Sequence, residues 1–600
     1  MSAKANALAN DVLPRWRLDE LYAGPDCPKL KREMAAAEAE IADFVKVYEG
    51  RLAALEPAAF AAFLTRFDAL QDMTGRIATY SSLLFAQDNS VPAHAKFYSD
   101  IGDWLTGLGA QLLFVEIEIN KIAAAHLDTL SQHPGVAKYK SWLDATRAFA
   151  PHQLSDELEK ISLEKSQTGN AAWTRLFEET SASLTVKAGA DELSLEQALH
   201  RLSDKDRDSR QTAAEALAVT FKQNIRTFSL ILNTLAKDKQ IDDQWRKFQT
   251  PMHARHLSNR VEPEVVDALA SSVKRAFPKL SHRYYAMKAK WMGLDKLEYW
   301  DRNAPLPVVP DRLYSWDEAR DTVLSAFGGF SPRVAQIAQG FFDKGWIDAA
   351  PARGKSGGAF SAPAAPSQHP FVLMTFLGKG RDVMTLAHEL GHGVHQVLAA
   401  NQGPLLSQTP LTVAETASVF GEMLTFRKLL ADAGPGKLRL ALLAQKAEDT
   451  LNTVVRQIAF YEFETRFHAA RKDGELTPDQ IGQIWLDVQR ESLGPAFNFG
   501  PGYETYWCYI GHFVRSPFYV YAYAFGDCLV NSLYAQFERS ADGFQDQYLA
   551  LLSAGGAKPY GELLKPFGLD ARDPAFWDRG LDVIAGIIDE TERAAKGVVA

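Results

Sequence analysis

Apolar residues recur at intervals of three and four along most of this chain, and no other feature of it restricts the possible folds so strongly. Phe60, Phe63, Leu64, Phe67 and Leu70 are typical. That spacing lays one apolar stripe along a 3.6-residue helix, whereas a half-buried strand alternates apolar with polar residues. From Asp19 to about Glu179 the pattern sits in a sequence rich in Ala, Leu, Glu and Lys, which predicts stacked amphipathic helices. It resumes at Ser194-Leu-Glu-Gln and runs to about Met292, punctuated at Pro251, Pro263 and Pro278. The expected class is mainly α, and 600 residues at 46% hydrophobic content can bury a large core.

Two interruptions carry strand signals. In Ser183 to Leu193, Leu184 and Val186 alternate with polar residues and Gly189 supplies a turn, which predicts a small hairpin. A domain boundary is expected near residue 200, dividing an N-terminal helical domain, 1–200, from a second helical domain, 201–600. The second interruption is Phe371-Val-Leu-Met-Thr-Phe376, a compact apolar run between Pro370 and Gly378, expected as a strand. A Gly/Pro/aromatic loop is expected from Leu493 to Gly502.

Composition excludes several classes. A net charge of -9 is wrong for a generic polyanion binder, so no nucleic-acid partner is expected. Asp11 interrupts the stretch a secretory signal would need, and no run approaches the roughly 18 apolar residues of a membrane helix. Cys27, Cys508 and Cys528 form no metal-ligand spacing and read as free thiols, which suits a cytoplasmic protein.

The chemistry concentrates at His388-Glu389-Leu390-Gly391-His392, which follows the helix-type residues Val383, Met384, Leu386 and Ala387. Histidines at i and i+4 project from one face of a helix a single turn apart, as two ligands of a zinc ion. Glu389 beside them reaches a water in an open coordination position; zinc lowers that water's pKa toward about 7, and Glu389 takes its proton as general base. A catalytic zinc needs a third protein ligand. The metzincin arrangement requires Gly at 395 and His at 398, where this chain has His395 and Leu398. Downstream, Thr412 to Leu424 reads as a second amphipathic helix with Glu415, Ser418 and Glu422 along one face. Glu415 is the natural third ligand, and Glu422 is placed to hold the outer N–H of a ligating imidazole.

With Arg381 to His395, Ala414-Glu415-Thr-Ala-Ser418, the strand before the motif and the opening Trp16-Arg-Leu-Asp-Glu-Leu-Tyr22, the sequence resembles the oligoendopeptidase F family, relatives of thimet oligopeptidase and neurolysin. The resemblance extends over most of the chain. It implies a deep substrate channel in a large helical oligopeptidase fold, one Zn²⁺ per chain, and endopeptidase action on short peptides.

Hydrolysis builds negative charge on a tetrahedral oxygen, which a neutral or cationic donor stabilises. In the resembled family a His and one or more Tyr serve there, and the aromatic stretch Tyr503 to Tyr523 looks like the corresponding element. His512 and Tyr519 are the favoured donors, with Tyr523 next. The edge of the strand 371–376 is expected to pair with an extended substrate, and Ser356 to Phe360 to form a rim over the cleft. Gly354-Lys355-Ser356-Gly357-Gly358 imitates both a nucleophile elbow and a phosphate loop, but Pro363 and Pro366 follow where a helix is required. Two rival readings are a cysteine hydrolase using Cys508 and His512 on one helical face, and a non-catalytic peptide-binding protein.

Overall fold

A computed structural model describes residues 13–307, 312–540, 542–596 and 598. The expectation drawn from Asp11 falls in 1–12, outside the described residues. The chain divides into two compact units, each assembled from three separated stretches: 1–150, 311–432 and 536–569 in the first, and 151–310, 433–535 and 570–600 in the second. Residue 200 falls inside the second unit, on the helix Leu195–Arg201.

Both units are mainly helical, as the three-and-four spacing predicts. In the first, Pro28–Tyr48, Pro57–Gln87 and Pro92–Leu112 are long helices, each opening on a proline whose missing N–H costs nothing in a first turn. Phe60, Phe63, Leu64, Phe67 and Leu70 are buried in one core cluster with Phe44 and Phe114. The Phe44 and Phe63 rings stack with centroids 5.5 Å apart.

A three-stranded sheet prepares the ground for the motif. Its order is Ile347–Asp348, Phe371–Leu373, Phe360–Ala362, with the first pair parallel and the second antiparallel. The strand predicted from Phe371 is therefore present but shorter. Beyond Leu373 the amides of Met374 and Phe376 still donate to the carbonyls of Asp348 and Ala349. Its placement corrects one expectation: Phe371–Leu373 is the middle strand, bonded on both sides, and has no edge to offer. Phe360–Ala362 is one edge and Ile347–Asp348 the other. The sequence did not announce either, because strands so short cannot show alternation.

The opening segment covers this sheet. Trp16, Leu18, Leu21 and Tyr22 are buried with Phe371 and Leu373, Trp16 meeting the Phe371 ring edge-on at 6.0 Å. Lys355 of the supposed phosphate loop is turned inward. Its ammonium pairs with Asp348 at 2.6 Å and donates to the carbonyls of Asp348, Ala350 and Met374, so it staples the loop to the sheet. The Ser356 amide donates to the Ala86 carbonyl, a further tether on the stretch expected as a rim.

The second unit contains the predicted hairpin, Thr185–Ala188 against Asp191–Ser194, with Gly189 at φ +66° in the turn. It also contains the longest helix, Arg207–Trp245, whose buried Arg210 pairs with buried Asp301 at 2.8 Å. The helix Pro263–Ala276 ends just before Pro278, and the chain passes through a wide π turn, Pro278–His282, into Arg283–Trp291. The loop expected at 493–502 includes a two-residue strand, Phe497–Asn498, parallel to Leu297–Glu298. Among the described residues, no helix is long and apolar enough to cross a membrane.

Candidate metal centre

The helix Gly380–Ala399 carries the motif. Asp382 accepts the amides of Leu377 and Lys379 at its first turn, an acidic cap at the positive end of the helix dipole. His388 and His392 lie one turn apart on its half-buried side, ring centroids 4.9 Å apart, while Leu386, Ala387, Leu390 and Val394 are buried.

The companion segment is broken where the sequence predicts one helix. A single turn, Leu411–Ala414, precedes Glu415, and the long helix Thr416–Ala433 follows it. Glu415 thus stands at the junction, its carbonyl accepting the Val419 amide. Its Oε2 is 3.4 Å from Nε2 of both His388 and His392. The three side chains offer ligand atoms within 4.8 Å of one another, and no other cluster of this kind is found among the described residues.

This convergence depends on Gly391. A Cβ there would meet the backbone of the companion helix, 2.6 Å from the Ser418 Cα and closer still to the Ala417 carbonyl oxygen. Only a bare Cα allows the two backbones to approach so closely. At Gly421 a Cβ would meet the Phe327 ring at 2.8 Å, with the Ala387 carbonyl oxygen of the motif helix at 3.4 Å.

Each member of the cluster is oriented by a neighbour. Glu422 Oε2 faces Nδ1 of His388 at 3.2 Å. Ser418 Oγ donates to Glu415 Oε2 at 2.7 Å. His395 is buried and bonds the Ala414 carbonyl, with Thr409 Oγ1 at 3.4 Å from its Nε2, so it holds the turn that ends in Glu415. The sequence placed Ser418 on the correct face without assigning it this bond, and the role of His395 was missed. Its i+7 spacing from His388 is a signal that was there to use.

The electrostatics follow from burial against charge. Burial pushes the His388 imidazole down, but the Glu422 hydrogen bond and the charges of Glu415, Glu422 and Glu389 outweigh it and lift the group to about 9. Burial pushes Glu415 up, and the two imidazoles with the Ser418 hydroxyl reverse that to about 2. Glu389 is 6% exposed, and burial raises its carboxyl against the opposing pull of His388, His392 and the Ser361 amide. Two imidazoles, one carboxylate that stays ionised and a hydrogen-bonded outer ring nitrogen form a donor set that fits a zinc-class cation.

His512, Tyr519 and Tyr523 lie in the second unit and form a cluster of their own. His512 Nε2 is 3.2 Å from the Tyr523 hydroxyl, and the Tyr519 and Tyr523 rings meet edge-on at 5.3 Å. Arg255 lies over the Tyr519 ring. The cysteine-hydrolase pairing is not formed. Cys508 belongs to the 3₁₀ turn Tyr503–Tyr509, the chain leaves helical geometry at Ile510, and His512 opens a separate turn, so the two do not share a helical face. Burial also raises the Cys508 thiol, opposing the thiolate that chemistry needs.

Known proteins resemble this chain in sequence and in fold. Residues 330–583 match the model of Peptidase family M3, and residues 118–185 match that of Oligopeptidase F. Oligopeptidase PepF of Bacillus subtilis is 26% identical over 586 residues, covering 96% of this chain and 86% of that protein. A chain of known structure from Chlamydophila abortus has a TM-score of 0.83 at 22% identity, covering 97% of this chain and 98% of that one. The crystal structure of oligoendopeptidase-F from Enterococcus faecium gives 0.69 at 19%, covering 94% and 99%. Fold and matches together define a peptidase on a mainly helical scaffold. The chain belongs to peptidase family M3, in its oligoendopeptidase F group.

Proposed function

We propose that this protein is a cytoplasmic zinc-dependent endopeptidase that hydrolyses internal bonds of short, unstructured peptides, with no nucleic-acid or membrane partner. The observation that carries the reading is the convergence of His388, His392 and Glu415 beside the buried Glu389. His388 Nε2, His392 Nε2 and a Glu415 oxygen would hold the ion. When bound, zinc supplies Lewis acidity to a water and to the peptide carbonyl. Glu389 accepts the proton of the attacking water and returns it to the departing amine nitrogen, a role suited to a carboxylate whose proton affinity burial has raised. Glu422 and Ser418 keep the His388 ring and the Glu415 carboxylate in place during turnover. His512, Tyr519 and Tyr523 are proposed as donors to the oxygen on which charge develops; their mutual clustering supports this. The preference for short peptides and internal bonds is supported by relatives named oligopeptidase and oligoendopeptidase F.

The test is hydrolysis of an internally quenched peptide of about ten residues, a length suited to extended binding, by wild type and Glu389→Gln, with metal content measured on both. Internal cleavage by a zinc-bearing wild type, and a zinc-bearing variant slowed by about 10²–10⁴-fold, is the expected result. Equal rates would show that Glu389 is not the base.

A further inference from the structure

In the second unit two guanidinium groups share one small cavity, and no carboxylate among the described residues lines it. Arg302 follows the turn Tyr299–Asp301, and Arg456 lies in the first turn of the helix Val455–Arg471. With Tyr285, Asn452, Gln489 and Ser492 they line an internal cavity in which the centre of a water-sized particle can range over about 10 Å³. Arg456 donates to the Tyr509 hydroxyl at 2.8 Å and lies over the Phe460 ring, 4.8 Å from its centroid. Arg302 bonds the same hydroxyl and has Asn303 Oδ1 at 3.4 Å from its Nε. None of these acceptors is a carboxylate.

Two more donors at this place are buried without a partner. They are Arg456 Nε and Gln489 Nε2, the latter on a side chain 1% exposed whose Oε1 accepts the Tyr503 hydroxyl at 3.1 Å. Acids on adjoining elements are engaged elsewhere: Asp301 with Arg207 and Arg210, Glu448 with Lys288 and Tyr284. Buried donors are almost always satisfied, and like charges held together in a low dielectric call for a counter-charge. A water supplies lone pairs but no charge. The cavity is too small for a phosphate or the carboxylate end of a peptide.

We propose that this cavity binds a small monovalent anion of the halide class, held between Arg302 and Arg456 with Gln489 Nε2 as a third donor. Such an ion accepts from every direction and neutralises the guanidinium pair. It joins the helix Val455–Arg471 to the helix Pro478–Leu493 and, through Tyr509, to the turn that leads to His512. Occupancy therefore stiffens the segment that presents His512, independently of any metal in the first unit.

Thermal unfolding of the full chain, with chloride replaced by gluconate at constant ionic strength, tests this. Gluconate is too large for the cavity. Wild type is expected to be stabilised saturably by chloride, approaching a factor of about 100 in the folding equilibrium at a hundredfold excess over Kd. Gln489→Glu, which builds a carboxylate into the cavity, is expected to lose that dependence. Crystals soaked in bromide should show an anomalous peak between Arg302 and Arg456. Identical unfolding in the two salts with only water in the cavity would overturn the proposal, as would a chloride effect that Gln489→Glu retains. If that variant fails to fold, the wild-type titration and the bromide peak decide.

Discussion

The Glu422 carboxylate lies 3.2 Å from Nδ1 of His388, the ring nitrogen that does not face Glu415. A carboxylate there fixes the tautomer that leaves Nε2 free to ligate and raises its basicity. Glu422→Gln should therefore weaken zinc binding by about 10–100-fold while leaving the fold intact. Competition against a chelating dye, with thermal unfolding as control, measures it. Unchanged affinity would make the carboxylate a bystander.

Removal of the metal should stop turnover without unfolding the chain, because the helices that carry the ligands are packed through Leu386, Leu390, Val419 and Phe420 and not through the ion. Dialysis against a chelator should abolish peptide hydrolysis, and zinc should restore it. Glu415→Ala should not be restored. Thiol alkylation should spare activity, since Cys508 and Cys528 are buried and the partly exposed Cys27 caps the helix Pro28–Tyr48 and is not part of the metal cluster.

Gly391 permits the backbone contact with Ala417 and Ser418. In Gly391→Ala the added methyl meets main chain, which cannot rotate away, so the helices must separate. A loss of about 1–3 kcal/mol in stability is expected, together with weaker zinc binding as Glu415 is drawn from the two imidazoles. Denaturant midpoints and metal content report the two effects separately.

Glu464 supplies a pH dependence away from the metal. It is buried, accepts the Phe518 amide at 2.7 Å through Oε1, and has no partner for Oε2. Burial lifts its carboxyl to about 8 despite the Phe518 amide and the charges of Arg255 and Lys239. The folded chain keeps a proton that the unfolded chain releases near the ordinary value of 4.5. Its contribution to stability is thus complete below that value and is lost as pH rises through about 8. Each tenfold difference in proton affinity is about 1.4 kcal/mol. Wild type should lose stability relative to Glu464→Gln across this range by an amount on the order of a few kcal/mol. Parallel unfolding curves at all pH values would refute the assignment. Phe518 is held at φ +59°, a strained region for a non-glycine residue, so this carboxyl bonds the backbone where the turn before Tyr519 is tightest.

What the linear order of residues determines here is whatever depends on near neighbours. The spacing of Phe60 to Leu70 specifies a helix and its buried face, and His388 and His392 must share a face because a helix turns once in 3.6 residues. Gly189 marks the hairpin turn for an equally local reason, its positive φ. The place of Phe371–Leu373 within its sheet was not legible, because the strands on either side come from short segments with no periodicity of their own. Nor was the break at Glu415, where an unbroken apolar pattern conceals a junction. Glu415 reaches the two histidines only because Gly391 lets a second helix approach, and the bonds from Ser418 and Glu422 exist only at that separation. Arg302 and Arg456 likewise meet across 154 residues only after folding. Local spacing follows from helix geometry, but these encounters are between segments distant in sequence, and packing alone decides them.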